Sequence, residues 1–163
     1  MEYNKNYTIS LSFAKECLRL INDLSKKDGG KGCFSEDMLV WAVDDIERLS
    51  HPHQLKDTVD VAIGVSDDGK REVNKRILLC EFKFNCKNVN NLTKKALEAK
   101  VLYTQNLFSP ERIDSNVYFL FSDKQTQQAR SLFERNLYSA GNLKGKRIVK
   151  TEQEFAKLVL NAK

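Results

Sequence analysis

Two apolar segments that carry charge inside them constrain the fold of this chain more than any other feature. Residues 58–64 and 77–84 are each apolar enough for a buried strand, and the loop between them is turn-rich and charged. The pattern therefore predicts a β-hairpin. Buried strands seldom carry charge, yet Asp60 lies in the first strand and Glu81 and Lys83 lie in the second.

The charged residues of the second strand share one face. Side chains alternate along a strand, so Glu81 and Lys83 point the same way, while Cys80 and Phe82 point the other way. Both faces of this strand begin apolar, as in a central strand. Its charged end is the carboxyl end, where sites in α/β sheets tend to open. The plainer alternative is a solvent-exposed Glu–Lys pair at a strand end.

The hairpin register places two carboxylates together. If Val65 pairs with Arg76, Asp60 falls opposite Glu81. Two carboxylates at ~4 Å repel by about 4 kcal/mol at an effective dielectric near 20. A bound Mg²⁺ or Mn²⁺ ion reverses the sign of that energy, because hard cations prefer carboxylate oxygens. Lys83 beside them would orient or deprotonate a water and offset charge on a phosphate.

The surrounding pattern predicts an α/β fold with a mixed central sheet flanked by helices. A strand, a helix and a second strand in succession imply a parallel pair with a right-handed crossover. Thr151 and Glu154 form a capping box for a final helix. Helices are predicted over about 9–26, 35–49, 91–108 and 124–138, with further strands at 117–121 and 145–150.

These residues carry a family resemblance. Asp60 followed by Glu81-Phe82-Lys83, within a helix–strand–strand–helix–strand layout, resembles the PD-(D/E)XK nuclease superfamily over roughly residues 35–122. The resemblance implies a restriction-endonuclease-like core with additional N- and C-terminal helices. It also implies that Asp60 and Glu81 bind one or two divalent metals and that Lys83 assists the attacking water.

The resemblance further implies an acidic ligand from the helix before the hairpin. Glu36, at the start of the second predicted helix, is the first candidate for this position, and Glu47 is the second. Asp57 competes with Asp60 as the first strand's carboxylate. The predicted metal ligands are thus Asp60, Glu81 and Glu36, and Lys83 completes the catalytic set.

Length predicts a single domain over residues 1–163. We divide it into an N-terminal helix and loop at 9–32, a nuclease-like core at 35–122, and a C-terminal helix–strand–helix unit at 123–163. The four cysteines form no Cys-x-x-Cys pair, and the only histidines are in His51-Pro52-His53, so a structural zinc site is not expected. With no membrane-spanning run and no signal peptide, a cytoplasmic location with reduced cysteines is expected.

The formal net charge of +5 permits nucleic-acid binding. The basic residues proposed to hold a DNA or RNA backbone are Lys87, Lys94, Lys95 and Lys100, and a further basic cluster spans 144–150. The leading hypothesis is therefore a metal-dependent nuclease, acting as a homodimer or with a recruiting partner. The alternative is a non-catalytic binding module, such as an accessory or immunity-type protein that docks through the N-terminal helix or the basic loop 70–76.

Overall fold

The computed structural model describes residues 1–68, 72–139 and 145–160. In this part of the chain, six α-helices accompany one open, mixed sheet of seven strands, which confirms the predicted α/β class. The strands are β1 (Glu2–Tyr3), β2 (Leu18–Leu20), β3 (Leu39–Ala42), β4 (Val61–Ser66), β5 (Arg76–Lys83), β6 (Ile113–Phe121) and β7 (Arg147–Thr151). The helices are α1 (Lys5–Ser10), α2 (Ile21–Lys27), α3 (Val43–Ser50), α4 (Lys94–Leu107), α5 (Thr126–Leu132) and α6 (Glu152–Leu160).

The strand order is β2-β3-β4-β5-β6-β7, and β1 pairs with β4 outside this path. The pairs β2–β3, β3–β4 and β4–β5 are antiparallel, whereas the pairs β5–β6 and β6–β7 are parallel. Val65 pairs with Arg76, so the predicted hairpin register is confirmed. The predicted parallel crossover between β5 and β6 is also confirmed.

Helices cover both faces of the sheet. Buried residues of α3, α4 and α5 form one apolar cluster with Ile77 and Leu79 of β5. Buried residues of α2 and α6 form a second cluster with Leu78 and Cys80 of the same strand. Alternation along β5 therefore decides which layer each side chain meets, and Glu81 follows Ile77 and Leu79 onto the α4 side.

The N-terminal third differs from the sequence prediction. In place of one helix over 9–26, the chain forms α1, a 3₁₀ segment at Ser12–Cys17, β2 and α2. In place of one helix over 35–49, it forms β3 and then α3. The apolar residues of β3 are buried on both sides of the sheet, with Val40 in one cluster and Trp41 in the other. A run that is apolar on every side suits a central strand as well as a helix.

The C-terminal half follows the prediction closely. Helix α4 lies within 91–108, and the segment predicted as a helix at 124–138 is α5 continued by a π-helical turn at Phe133–Leu137. Thr151 and Glu154 exchange the two hydrogen bonds of a capping box, with Thr151 N–H donating at 2.8 Å and Glu154 N–H donating at 3.1 Å. Part of the basic loop 70–76 and Lys144 lie outside the described residues.

A buried carboxylate ties the two ends of the described chain together. Glu152, at the start of α6, accepts hydrogen bonds from the Ser25 hydroxyl and from the backbone N–H groups of Lys31, Gly32 and Cys33. Burial alone would raise the pKa of Glu152, but these donors lower it below its ordinary value. The glycine-containing loop after α2 thus surrounds an anion that α6 supplies. Within the described residues, no helix is long and apolar enough to cross a membrane.

Candidate active site

Asp60, Glu81 and Lys83 meet where the β4–β5 hairpin opens toward α4. Asp60 immediately precedes β4, and Glu81 and Lys83 are at the end of β5. The side chain of Asp60 reaches across to β5, because its Oδ2 accepts a hydrogen bond of 2.5 Å from the backbone N–H of Phe82. The three side chains that the hairpin register predicts to converge therefore lie in one cluster.

Glu81 is a buried carboxylate with two ammonium partners. Only 1% of its side chain is exposed, and its Oε1 lies 2.6 Å from Lys83 Nζ and 3.0 Å from Lys100 Nζ. Its Oε2 is buried and has no hydrogen-bond partner among the described residues. A buried polar oxygen without a partner is costly, so this atom points to a missing proton or cation.

Asp60 is held in the neutral form by its surroundings. Burial and then the negative charge of Glu81 raise the pKa of Asp60 from 3.8 to about 8. A proton on Asp60 satisfies the two neighbouring carboxyls with one hydrogen bond. A divalent cation in that position would replace the proton and contact oxygens of both residues.

A pocket of about 220 Å³ leads to Asp60 and Lys100. Its wall contains both signs of charge, so it is a polar pocket suited to water, ions and phosphate groups. The lining residues are Asp44, Glu47, Arg48, Leu55, Lys56, Asp57, Thr58, Asp60 and Lys100. Asp57, the alternative to Asp60, thus lies on the pocket wall.

Glu47 is bound to protein groups rather than free to ligate a metal. Its carboxylate accepts from the Tyr103 hydroxyl at 2.8 and 2.9 Å and from the backbone N–H of Lys56 at 3.1 Å. His51 Nδ1 lies 3.2 Å from the same carboxylate. Glu47 therefore anchors the loop that follows α3, although it borders the pocket.

The structure does not bring Glu36 to the cluster. Glu36 is exposed in the turn before β3. Ala42, at the other end of β3, is the residue that pairs with Val61 beside Asp60. The assignment of Glu36 depended on a helix starting at residue 35, and that helix is absent because 39–42 is a strand.

The four lysines predicted to contact nucleic acid have different surroundings. Lys87 and Lys95 are exposed. Lys94 Nζ lies 5.5 Å from the centre of the Tyr138 ring. Lys100 belongs to the carboxylate cluster, where burial alone would lower its pKa but the charge of Glu81 raises it. Lys100 therefore belongs to the carboxylate cluster at the end of β5.

Asp28, directly after α2, lies close enough to the carboxyl pair to act on it electrostatically, which the sequence pattern did not reveal. Its negative charge contributes to the raised pKa of Asp60, after burial and Glu81. The pKa of Asp28 itself is raised, first by burial. In the sequence Asp28 precedes two glycines and appears only as a chain break, because its proximity to β5 depends on the packing of α2.

The donor set fits a magnesium-type ion held by two carboxylates. The described residues contain no group of three or more His, Cys, Asp or Glu arranged to hold a metal, and the described cysteines are free. Mg²⁺ is commonly bound through one or two carboxylates with water and substrate phosphates as the other ligands. The partnerless Oε2 of Glu81 beside Asp60 is the observation that supports this fit.

The arrangement combines a carboxyl pair that attracts a cation with two ammonium groups that attract an anion. Such a combination suits hydrolysis at phosphorus, where negative charge develops close to the bound ion. No protein-family model, curated protein or solved structure matches this chain, so a function rests on this geometry.

Proposed function

We propose that this chain is a metal-dependent phosphodiesterase that hydrolyses DNA or RNA, on a restriction-endonuclease-like core of the PD-(D/E)XK type. The observation that carries the proposal is the buried Glu81 oxygen without a partner, beside the neutral carboxyl of Asp60. Two lysine ammonium groups contact the other oxygen of Glu81. In a purely structural pair, only a proton on Asp60 would satisfy this oxygen.

Each residue has a distinct task in this proposal. Asp60 and Glu81 would hold a Mg²⁺ or Mn²⁺ ion, which would supply Lewis-acid activation of the phosphodiester. Asp60 would act as a ligand in its ionised form. Lys83, which is partly exposed, holds and orients a water and offsets charge on the phosphoryl oxygens. Lys100 contacts the same oxygen of Glu81 at 3.0 Å and offsets its negative charge.

The charge of the molecule supports a polyanionic substrate. The net charge is +5, and Arg48, Lys56 and Lys100 all border the pocket that leads to Asp60. The same wall also carries Asp44, Glu47 and Asp57, so the attraction for an anion comes from the net charge of the molecule and not from the pocket wall alone. Binding of this kind depends on the phosphate backbone and falls as the salt concentration rises.

A non-catalytic binding module on the same fold is the second candidate. It is favoured by one observation: Glu81 Oε1 already has two ammonium partners. With Asp60 protonated, the cluster is stable without a metal. In that case the cluster would be a buried structural network, and function would reside in a protein-docking surface.

Calorimetric titration with Mg²⁺ and Mn²⁺ separates the two candidates. Wild type and the exposed-carboxylate control Asp123→Asn should bind the ion, while Asp60→Asn and Glu81→Gln should not. Titration at pH 7 should also release about one proton per ion, seen as a dependence of the heat on the buffer. Absence of metal binding in the wild type would exclude the catalytic proposal.

Cleavage of labelled single-stranded and duplex DNA and RNA tests the reaction itself. Lys83→Met should retain metal binding and lose cleavage by about 10²-fold or more, as for removal of a group that acts on the transition state. Unchanged cleavage in Lys83→Met would remove Lys83 from the mechanism. Metal binding without cleavage of any of the four polymers would support the second candidate.

A further inference from the structure

A second, larger groove lies along β7, on the outer edge of the sheet. Its volume is about 770 Å³, and it is separate from the pocket at Asp60. The segment that forms it belongs to the basic cluster 144–150, which the carboxylate site does not use. The lining residues are Arg130, Phe133, Glu134, Tyr138, Gly145, Lys146, Arg147, Ile148, Val149, Lys150 and Glu154.

The two arginines of the groove are fixed parts of its wall. Arg147 makes a two-pronged ion pair with Glu98, at 2.7 and 2.9 Å, and its side chain is 5% exposed. Arg130 lies 2.5 Å from Glu154 and also donates to the carbonyl of Val149 on β7. Arg130 thus occupies part of the free edge of β7, which leaves little room for an added strand there.

The two lysines of the groove are the available charges. Among the described residues, neither Lys146 nor Lys150 has an acidic partner within ion-pair distance. Lys150 lies on β7 and Lys146 directly precedes that strand, so both border the groove along one stretch of chain. They are four residues apart, which corresponds to about 13 Å along a strand. That distance matches roughly four phosphates of one nucleic-acid strand at 3.4 Å each along the helix axis.

The two aromatic residues of the groove, Phe133 and Tyr138, are not free to stack on a base, and Phe133 is buried. The Tyr138 ring packs against Phe133 at 5.4 Å, and its hydroxyl donates to Glu98 at 3.0 Å. Lys94 Nζ lies 5.5 Å from the centre of the same ring and adds positive charge at this end of the groove. The groove therefore offers charge and no base-reading group.

We propose that the β7 groove binds the phosphodiester backbone of a nucleic acid, with Lys146 and Lys150 contacting phosphates. The inference rests on the proposed function, since it names a substrate-holding surface for the same polymer. Unpaired lysines, a wall of fixed arginines and no free aromatic face favour a phosphate backbone, bound without sequence preference. An acidic protein segment is the competing occupant.

Fluorescence anisotropy in EDTA tests the groove without any contribution from metal or cleavage. The probes are labelled 20-mers of single-stranded DNA and duplex DNA, titrated at several salt concentrations. Lys146→Ala/Lys150→Ala should lower the slope of log affinity against log salt by about 2, one for each lost phosphate contact. Lys146→Arg/Lys150→Arg should retain wild-type binding. The matched control Lys15→Ala/Lys26→Ala removes the same charge near β2, at the opposite edge of the sheet, and should leave the slope within 0.5 of wild type.

The outcomes are separable from those of the proposed function. If the two double-alanine variants lose the same affinity and slope, the groove has no specific role and the inference is wrong. It is also wrong if polyglutamate, rather than nucleic acid, is the ligand lost on alanine substitution. If binding depends on Lys146 and Lys150 but no polymer is cleaved with Mg²⁺, the groove stands and the proposed function fails.

Discussion

Replacing Asp60 with asparagine should remove a pH dependence of stability that the wild type shows in the absence of metal. The pKa of Asp60 is raised to about 8 in the folded protein, mainly by burial and then by the charge of Glu81. The unfolded chain releases this proton near pH 4, so the folded state holds one more proton between pH 4 and pH 8. Stability must therefore fall as the pH rises through this window.

The size of this pH dependence follows from the one additional proton that the folded state binds. Each pH unit inside the window costs about 1.4 kcal/mol, so the wild type should lose about 2.7 kcal/mol relative to Asp60→Asn between pH 5 and pH 7. Urea unfolding in EDTA at pH 5, 6 and 7 measures this difference, because contributions common to both proteins cancel. Asp123→Asn, which removes an exposed carboxylate, should follow the wild type.

Urea unfolding in the presence of Mg²⁺ is a second test of the role of Asp60. Mg²⁺ at a hundred times its dissociation constant should stabilise the wild type at pH 7 by about 2.7 kcal/mol and leave Asp60→Asn unchanged. If wild type and Asp60→Asn show parallel pH dependence in EDTA, Asp60 is ionised in the folded protein. The carboxyl pair is then not strained, and the argument for a missing cation collapses.

Three other substitutions test the packing around the sheet by urea unfolding. Glu152→Gln should lower the free energy of unfolding by about 2 kcal/mol at pH 7, because charge-assisted hydrogen bonds are weakened. Since the pKa of Glu152 is lowered on folding, this loss should shrink as the pH falls below about 4. A loss that does not change with pH would contradict this reasoning. Trp41→Phe should lower the free energy of unfolding by no more than about 1.5 kcal/mol, since the buried Nε1 of Trp41 has no hydrogen-bond partner to lose. A larger loss would indicate that Nε1 has a partner such as a bound water. Gly145→Ala should lower the free energy of unfolding by about 2 kcal/mol or more, because the φ angle of Gly145 is +87° and an added Cβ would overlap the Ser115 backbone. An unchanged free energy of unfolding would show that the backbones at Gly145 and Ser115 can move apart without cost.

The sequence predicted the hairpin because two apolar segments flank a turn-rich loop, and alternation along β5 decides which of its side chains share a face. The register was an assumption, because the loop of residues 67–75 does not by itself fix the pairing with β4. The register Val65–Arg76 then brings Asp60 and Glu81 together without knowledge of any other contact. The capping box at Thr151 was equally accessible, because both of its partners lie within four residues.

The remaining parts depended on packing between distant segments. Residues 38–43 are apolar on every side, and only burial in both layers of the sheet makes 39–42 a strand. The same error placed Glu36 on a helix at the site. Asp28 and the contact of Lys100 with Glu81 depend on how α2 and α4 lie on the sheet, which no local spacing encodes.

The hydrogen bonds accepted by Glu152 bear on the order in which the chain folds. Its partners in the loop after α2 lie 119 to 127 residues earlier in the chain. Contacts of such long sequence separation form late, because the intervening chain must first be ordered. We therefore expect the loop after α2, and with it the position of Asp28, to become ordered only when α6 docks. A partly folded chain can complete the β4–β5 hairpin and still lack a finished site.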